Sequence, residues 1–374
     1  MAMAKNEPVK IVLTGGHAAT TAVAVVEELI RRQKKPSWQI YWIGAKGAFE
    51  GKDIPTLESE IFPKLSVTFH PIVAGRIQRR FSLYTIPSLV KIPFGFIHAF
   101  YLLNKLKPKV VLSFGGFAAF PVVVAARVLG IPIIVHEQTT VAGRANRASG
   151  IFAKRIALAR EESRKYFPGK KCILTGNPVL TQIAEISPKI KLGFPPVVFI
   201  TGGSRGSQRV NSLIDGCLEG LLNKYFLIHQ TGHMDFAKFI ARKNSLPDKL
   251  AGNYEVYDRI DPMNIDNIYR EADMVIARAG ANTVSEIIVA RRPSILIPIP
   301  WTYLDEQTKN ADYAAKFGIA LICQEDGLTS EKLFKAVEEL KQNWQKIILS
   351  TQGKQSPDLH ASSKLVDLVE ETIE

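Results

Sequence analysis

Residues 197–207 read VVFITGGSRGS, a run of apolar residues ending at a threonine and passing straight into a glycine-rich turn. Continuous apolar character without alternation suits a strand buried on both faces, and glycine after it lets the chain turn sharply. A helix is predicted from there to about residue 222. The pattern repeats downstream. Residues 226–229 precede QTG (230–232), residues 273–277 precede RAGANT (278–283) and a helix to about 290, and 294–297 and 319–323 read as further strands. It repeats upstream as well. Residues 9–13 lead into TGGH (14–17) and a helix near 20–32, residues 109–113 into FGGF (114–117) and a helix near 118–129, and residues 131–135 into HEQTT (136–140). Strand, loop and helix in alternation predict parallel sheets covered on both faces. The expected class is α/β: two Rossmann-like, doubly wound domains facing across a cleft, with ligands outside the carboxyl ends of the strands. The Pro/Lys-rich stretch 187–196 reads as part of the linker region, giving domains 1–180 and 181–354. The last segment, 357–374, places Leu359, Ser363, Val366 and Val369 or Ile373 on one face and predicts a closing amphipathic helix.

A chain of 374 residues suits two such domains. Its charge is uneven: residues 1–180 hold 26 Lys and Arg against 10 Asp and Glu, a balance of +16, whereas the remainder holds 22 against 25, a balance of −3. A basic half suits phosphates, of nucleic acid or of anionic headgroups and a pyrophosphate-linked substrate. Its aromatics form no stacking platform, and a nucleic-acid reading leaves the nucleotide-type loops without a task, so no nucleic-acid partner is expected. Cys172, Cys217 and Cys323 lie far apart with no CxxC spacing and read as reduced core thiols of a cytoplasmic protein. The polar start, 1–8, and the short apolar run after it do not form a signal peptide. The most membrane-like stretch, 84–103, contains Pro87, Lys91, Pro93 and Gly95, which argue against a spanning helix. With Arg76, Arg79 and Arg80 before it and Phe94 and Phe96 within it, the segment reads either as a shallow, monotopic contact with an anionic membrane surface or as a buried helix pair.

Chemistry concentrates in the loops. Glycines at 202, 203 and 206 let backbone approach a phosphate, the following helix offers unpaired N–H groups, and Ser204 adds a hydroxyl. In RAGANTVSE (278–286) either Asn282 or Thr283 can cap the helix, and Glu286 is either the acidic member of a capping box or a carboxylate accepting from the vicinal hydroxyls of a ribose. Gln307 and Asn310 share one side of a helix start and suit sugar hydroxyls or a polar cap. Upstream, TGGH and FGGF can cradle an anionic acceptor, His17 can take the proton of an attacking hydroxyl, and HEQ brings an imidazole and a carboxylate to a strand end.

Taken in order, TGGH, FGGFAAFP (114–121), GIPIIVHEQ (130–138), TGNPV (175–179), TGGSRGSQRVN (201–211), HQTG (229–232), ADMVIARAGANTVSE (272–286) and DEQTKNA (305–311) resemble the bacterial UDP-N-acetylglucosamine transferases of peptidoglycan synthesis, which convert lipid I to lipid II. The resemblance runs nearly end to end. It implies a GT-B fold and inverting transfer needing no metal and no cofactor. It also implies UDP-N-acetylglucosamine on the C-terminal domain, a lipid-linked pyrophosphate acceptor on the N-terminal one, and a last helix, about 355–374, packed back on the latter. The protein would sit peripherally on the cytoplasmic face of the cell membrane. Matched by motif, Ser204 meets the donor phosphates, Ile260 the uracil through its backbone, Glu286 the ribose and Gln307 the N-acetylglucosamine. Thr14, Gly15, Gly16, Arg205, Ala281, Asn282, Thr283, Val284 and Ser285 complete the donor set. Gly115, Gly116, Phe117 and His136 serve the acceptor, and His17 and Glu137 the proton transfer. The chain departs from the family pattern at Val12, Leu13, Thr20, Thr139, Leu180, Arg205 and Glu306. These departures leave as alternatives a related transferase with another acceptor or donor sugar, or a binding homologue.

Overall fold

The structure, a computed structural model, describes residues 8–16, 18–32, 37–49, 52–72 and 85–374, with backbone alone at 48–49, 52–55 and 85–92. His17, Arg76, Arg79 and Arg80 lie outside the described residues. The chain divides into two compact units, Met1–Leu180 with Pro357–Glu374, and Thr181–Ser356.

The first unit carries β1 (Val9–Gly15), β2 (Trp38–Gly44), the hairpin β3 (Gly47–Phe49) and β4 (Lys52–Pro55), then β5 (Thr68–Pro71), β6 (Val110–Ser113), β7 (Ile133–Glu137), β8 (Arg155–Leu158) and β9 (Cys172–Leu174). Apart from the hairpin these form one parallel sheet in the order β5-β2-β1-β6-β7-β8-β9. The second unit carries β10 (Val197–Thr201), β11 (Phe226–Gln230), β12 (Tyr254–Tyr257), β13 (Met274–Ala277), β14 (Ser294–Leu296) and β15 (Ala320–Ile322) in the order β12-β11-β10-β13-β14-β15. In each sheet the strand order reverses beside the first strand, between β1 and β6 and between β10 and β13. There the connecting chains leave in opposite directions and open a crevice at the carboxyl ends. The turns TGG and FGG flank the first crevice, and GGSRGS and RAGANT flank the second. Strands β6, β7 and β13 are buried along their whole length, which accounts for apolar runs without alternation.

Several local expectations change. The stretch 187–196 does not act as a linker; it packs on the buried Asp273, whose carboxylate accepts from Lys189 Nζ at 2.8 Å and from the Val197 N–H at 2.8 Å. The helix after GGSRGS breaks into Gln208–Asp215 and Leu218–Leu222. The cysteines are unpaired, Cys172 buried and the other two half-buried.

The closing helix, Ala361–Ile373, belongs to the first unit and packs against the helix Ala19–Arg31. Arg32 reaches it with hydrogen bonds to Asp367 at 2.5 Å and Ser363 O at 2.9 Å. Just before it, Asp358 is wholly buried and accepts both arms of the Arg160 guanidinium, at 2.6 and 2.7 Å, together with the Asn177 N–H at 2.7 Å. A charge with no access to water depends on its partners, so removing one strands the other. Asp358→Ala should cost about 3–5 kcal/mol in denaturant unfolding; a loss below about 1 kcal/mol would show that the pair does not hold the returning segment.

Candidate active site

In the second unit β10 ends at Thr201, whose hydroxyl accepts the Gly203 N–H at 3.0 Å, and Gly206 N–H closes the turn on Gly203 O at 2.9 Å. Gly206 has φ +72°, and a Cβ there would lie 2.0 Å from Thr231 O, so the loop seats directly on the QTG turn after β11. Only glycine permits both the conformation and the approach. Gln230 Nε2 donates to Gly203 O at 3.2 Å, and Ser207 caps the next helix by accepting from Val210 N. Ser204 and Arg205 stand exposed at the tip of the loop. Behind the QTG turn lies a closed polar network. Tyr254 donates to His229 Nδ1 at 2.8 Å, His229 Nε2 donates to Asn211 Oδ1 at 3.1 Å, and Asn211 Nδ2 donates to Thr231 O at 2.8 Å. Burial pushes His229 down to about 3, which keeps it neutral in this pattern.

The turn after β13 is tied to the same loop by a residue read beforehand only as part of a small-residue motif. Arg278, buried, donates from Nε to Ser207 Oγ at 3.0 Å and from Nη1 to Ile297 O at 3.0 Å, with Glu325 2.5 Å away. The helix Ala281–Ala290 follows, with Gly280 as its N-cap and no side-chain cap. Neither Asn282 nor Thr283 therefore caps it. Both lie in its first turn, half-buried like Ala281, while Val284 and Ser285 turn into the core and can offer a ligand no side chain. Glu286 falls in the second turn, too far along for a capping box, which places its acid at the third helical position. Its Oε2 accepts from the Tyr269 hydroxyl at 3.0 Å, and burial pushes the carboxyl up to about 7. Ile260 is buried in the segment after β12.

Gln307 lies in the first turn of the helix Glu306–Phe317, after two successive residues with left-handed backbone, Leu304 (φ 53°) and Asp305 (φ 56°). Its Oε1 accepts the Ile299 N–H at 3.1 Å and its own N–H donates to Thr302 Oγ1 at 3.2 Å, so the proline loop fixes the amide through its oxygen. Asn310 instead donates to Ala279 O at 3.2 Å and is buried, a brace between loops. Ser204, Arg205, the first turn at 281 and Gln307 thus follow three neighbouring strands, β10, β13 and β14. The sheet gathers them at one edge.

The first unit gathers its own set after β1, β6 and β7. Gly16 N–H donates to Gly115 O at 2.9 Å, and Gly116, φ +92°, lies so close that a Cβ would sit 2.9 Å from Gly16 N. Phe117, half-buried, borders a water-sized hollow beside Gly15, Gly16 and Glu58. Three expectations are corrected here. Thr14 is buried and its hydroxyl donates to Ile43 O at 2.7 Å, so it holds β2 and not a ligand. His136 is wholly buried, with Nε2 donating to Gly176 O at 3.1 Å, and desolvation pushes it down to about 4; it is a neutral strand-end residue, not an acceptor contact. Glu137 is also buried and its oxygens are taken by its own loop: the Thr139 N–H (3.2 Å) and hydroxyl (3.0 Å), the Gly143 N–H (3.1 Å) and Asn146 Nδ2 (2.9 Å). Burial outweighs these donors and raises it to about 7. With four bonds made, it shapes the 138–143 loop and is not placed to take a substrate proton.

Away from the loops, the helix Thr85–Leu106 buries Ala99, Leu102, Leu103 and Leu106 and leaves Phe94 (61%), Ile97 (67%) and Tyr101 (59%) exposed. Phe96 meets Phe120 edge to face at 6.2 Å. Beside them, Phe96, Ile97, Phe100, Val124, Ala125 and Val128 line an apolar groove of about 270 Å³. Among the described residues no helix is long and apolar enough to cross a membrane, and no three His, Cys, Asp or Glu side chains gather as metal ligands.

Two doubly wound units, each opening paired glycine turns where its strand order reverses, are the architecture of a GT-B nucleotide-sugar enzyme. Glycosyltransferase family 28 models match the chain at residues 12–158 (N-terminal domain) and 197–371 (C-terminal domain). A Clostridium kluyveri UDP-N-acetylglucosamine--N-acetylmuramyl-(pentapeptide) pyrophosphoryl-undecaprenol N-acetylglucosamine transferase is 31% identical over 96% of this chain and 99% of its own. The Pediococcus pentosaceus enzyme of the same name is 34% identical over 87% and 88%. The crystal structure of Acinetobacter baumannii MurG aligns with a TM-score of 0.68 and 25% identity, over 97% of this chain and all of that one. The chain belongs to family 28 and, within it, to the MurG family of glycosyltransferases.

The raised Glu286 carboxyl has a measurable consequence. Its folded value, about 7, lies above the ordinary 4.5, so between these pH values the folded state binds more protons than the unfolded one and stability falls as pH rises. The loss should reach up to about 3 kcal/mol by neutral pH. Denaturant midpoints measured from pH 4.5 to 8 should decline less steeply in Glu286→Gln than in the parent; parallel curves would mean that the carboxyl is not held protonated by burial.

Proposed function

We propose that this chain transfers N-acetylglucosamine from UDP-N-acetylglucosamine to polyprenyl-pyrophosphoryl-N-acetylmuramoyl-pentapeptide, converting lipid I to lipid II with inversion at the sugar. What carries the reading is identity at 31% along 96% of the chain to a transferase so named, over 99% of that protein. Incubation with labelled UDP-N-acetylglucosamine and a short-chain lipid I tests it, with labelled lipid II and UDP as the expected products. Transfer from a different UDP-sugar, or none, would replace it with one of the related readings.

In this reading the donor lies on the second unit. Loop amides at 202–207, the Ser204 hydroxyl and Arg205 meet the diphosphate, Ile260 pairs the uracil through its backbone, and Glu286 accepts from the ribose hydroxyls. The first-turn amides at 281–283 lie beside them, and Gln307 donates Nε2–H to the N-acetylglucosamine. The acceptor pyrophosphate meets the loops of Gly15, Gly16, Gly115, Gly116 and Phe117. The attacking hydroxyl of the acceptor's N-acetylmuramoyl sugar gives its proton to His17 as its oxygen bonds to the N-acetylglucosamine and the bond to UDP breaks. Glu137 supports this site only by shaping the neighbouring loop. Charge gathering on the departing UDP is met by loop amides and helix N-termini, fixed dipoles that need no rearrangement, so we assign neither metal nor cofactor to the reaction. Activity lost in EDTA and restored by magnesium or manganese would reverse that assignment. Glu286→Ala should weaken UDP binding by about 1.5–3 kcal/mol in calorimetry; unchanged affinity would remove Glu286 from the donor site.

We also read the apolar face around Phe94 and Ile97, with Arg76, Arg79 and Arg80 just upstream in sequence, as the contact with the anionic cytoplasmic face of the membrane. Exposed aromatic and aliphatic side chains gain free energy by entering the headgroup boundary, while the cations meet lipid phosphates. Replacing Phe94 and Ile97 together by aspartate should release the protein from anionic vesicles in sedimentation, and leave transfer to a soluble short-chain acceptor largely intact. Vesicle binding as strong as the parent's would place the docking surface elsewhere.

A further inference from the structure

Glu286 is held by a residue that no glycine-loop motif contributes. Tyr269 lies on the helix Ile265–Glu271 and is buried; its hydroxyl donates to Glu286 Oε2 at 3.0 Å. The phenol has little freedom of its own. Its ring meets Phe199 of β10 edge to face at 5.8 Å, and its backbone carbonyl accepts from Nε of the buried Arg292 at 2.7 Å. Tyr269 is thus fixed against the strand that leads into GGSRGS and against Arg292, two residues past the end of the 281–290 helix. A glutamate side chain on a helix surface turns about three torsions, and each orientation that a ligand must select costs binding free energy. A rigid donor on one carboxylate oxygen removes that search and leaves the other oxygen for a ligand.

We propose that Tyr269 is a positioning residue for recognition of the donor's ribose: it holds Oε2 of Glu286 so that the carboxylate is already turned toward the vicinal hydroxyls when the nucleotide arrives. The proposal rests on the reading that Glu286 binds ribose, and the two can fail separately. Tyr269→Phe keeps the ring and its packing and removes only the hydroxyl.

Calorimetry with UDP and with 2′-deoxy-UDP on the full chain reads the effect directly, because a purely structural loss weakens both ligands alike. Tyr269→Phe should weaken UDP about tenfold, the size of one hydrogen bond to a charged group, and should weaken 2′-deoxy-UDP much less, so that the preference between them shrinks. In a Glu286→Ala background the same change should add nothing, since its effect passes through that carboxylate. Full preference in Tyr269→Phe, with the preference lost in Glu286→Ala, would overturn the positioning role and keep the ribose reading. Full preference in Glu286→Ala would overturn both. Should Tyr269→Phe not fold, a crystal structure of the unaltered protein with UDP decides. Glu286 bridging the Tyr269 hydroxyl and the ribose supports the proposal, and a carboxylate swung off the tyrosine to reach the ribose ends it.

Discussion

The second unit's site depends on one close approach of backbone to backbone. The 202–207 loop and the 230–232 turn meet at Gly206 and Gly232 with no room for a Cβ on either, since one at Gly232 would lie 2.4 Å from Arg205 O. This contact sets the height of the loop above the sheet, and so the direction of its amides and of Ser204 at its tip. The rest of the unit keeps the contact in place. The Tyr254, His229 and Asn211 network holds the 230–232 turn from below, and Arg278 holds the end of the loop through Ser207. Both supports are buried and polar, and each bond they make satisfies a group that would otherwise be stranded away from water. Losing any one therefore costs more than a single surface contact.

The parallel sheets, the glycine turns at their crevices and the helices after them were legible in the sequence, because each depends on a few neighbouring residues. A doubly buried strand must be apolar throughout, and a turn that passes another backbone must be glycine. The fate of the polar residues at the strand ends was not legible in this way. Thr14, His136 and Glu137 sit at or near carboxyl strand ends, next to the loops that present the exposed Ser204, yet all three are buried and bonded inside the fold. What separates them is tertiary: Ile43 O lies beside Thr14, Gly176 O beside His136, and a loop that folds back over Glu137 through Thr139, Gly143 and Asn146. Apart from Thr139, two residues from Glu137, these partners come from other strands or from the return of a loop, at separations that no local pattern encodes.

The residues missed were of one kind. Arg278 and Tyr269 are large, buried and bonded to main chain or to another side chain, and in a linear reading they pass as a motif's first letter and a helix's core aromatic. Their position supplied one signal, since each lies within a dozen residues of a crevice loop. Arg278, with a carboxylate beside it and two oxygen acceptors for its Nε and Nη1, ties the 202–207 loop to the turns after β13 and β14.

The two carboxylates that burial raises to about 7 show how one electrostatic condition serves two ends. Removal from water disfavours the anion in both, so each keeps its charge only to the extent that donors compensate. Glu137 has four donors from its own loop and helix start, which stabilise the anion and leave nothing to offer a ligand. Glu286 has one hydrogen bond, from Tyr269, and its carboxylate retains acceptor capacity that folding has left unused. A ligand that brings hydroxyl donors to Glu286 supplies what Glu137 already has, stabilising the anion and gaining binding free energy from the same bonds. The cost of burying the carboxylate thus falls on the ligand-free protein and is relieved on binding. On the ribose reading proposed for Glu286, this favours ligands that carry hydroxyls at that point.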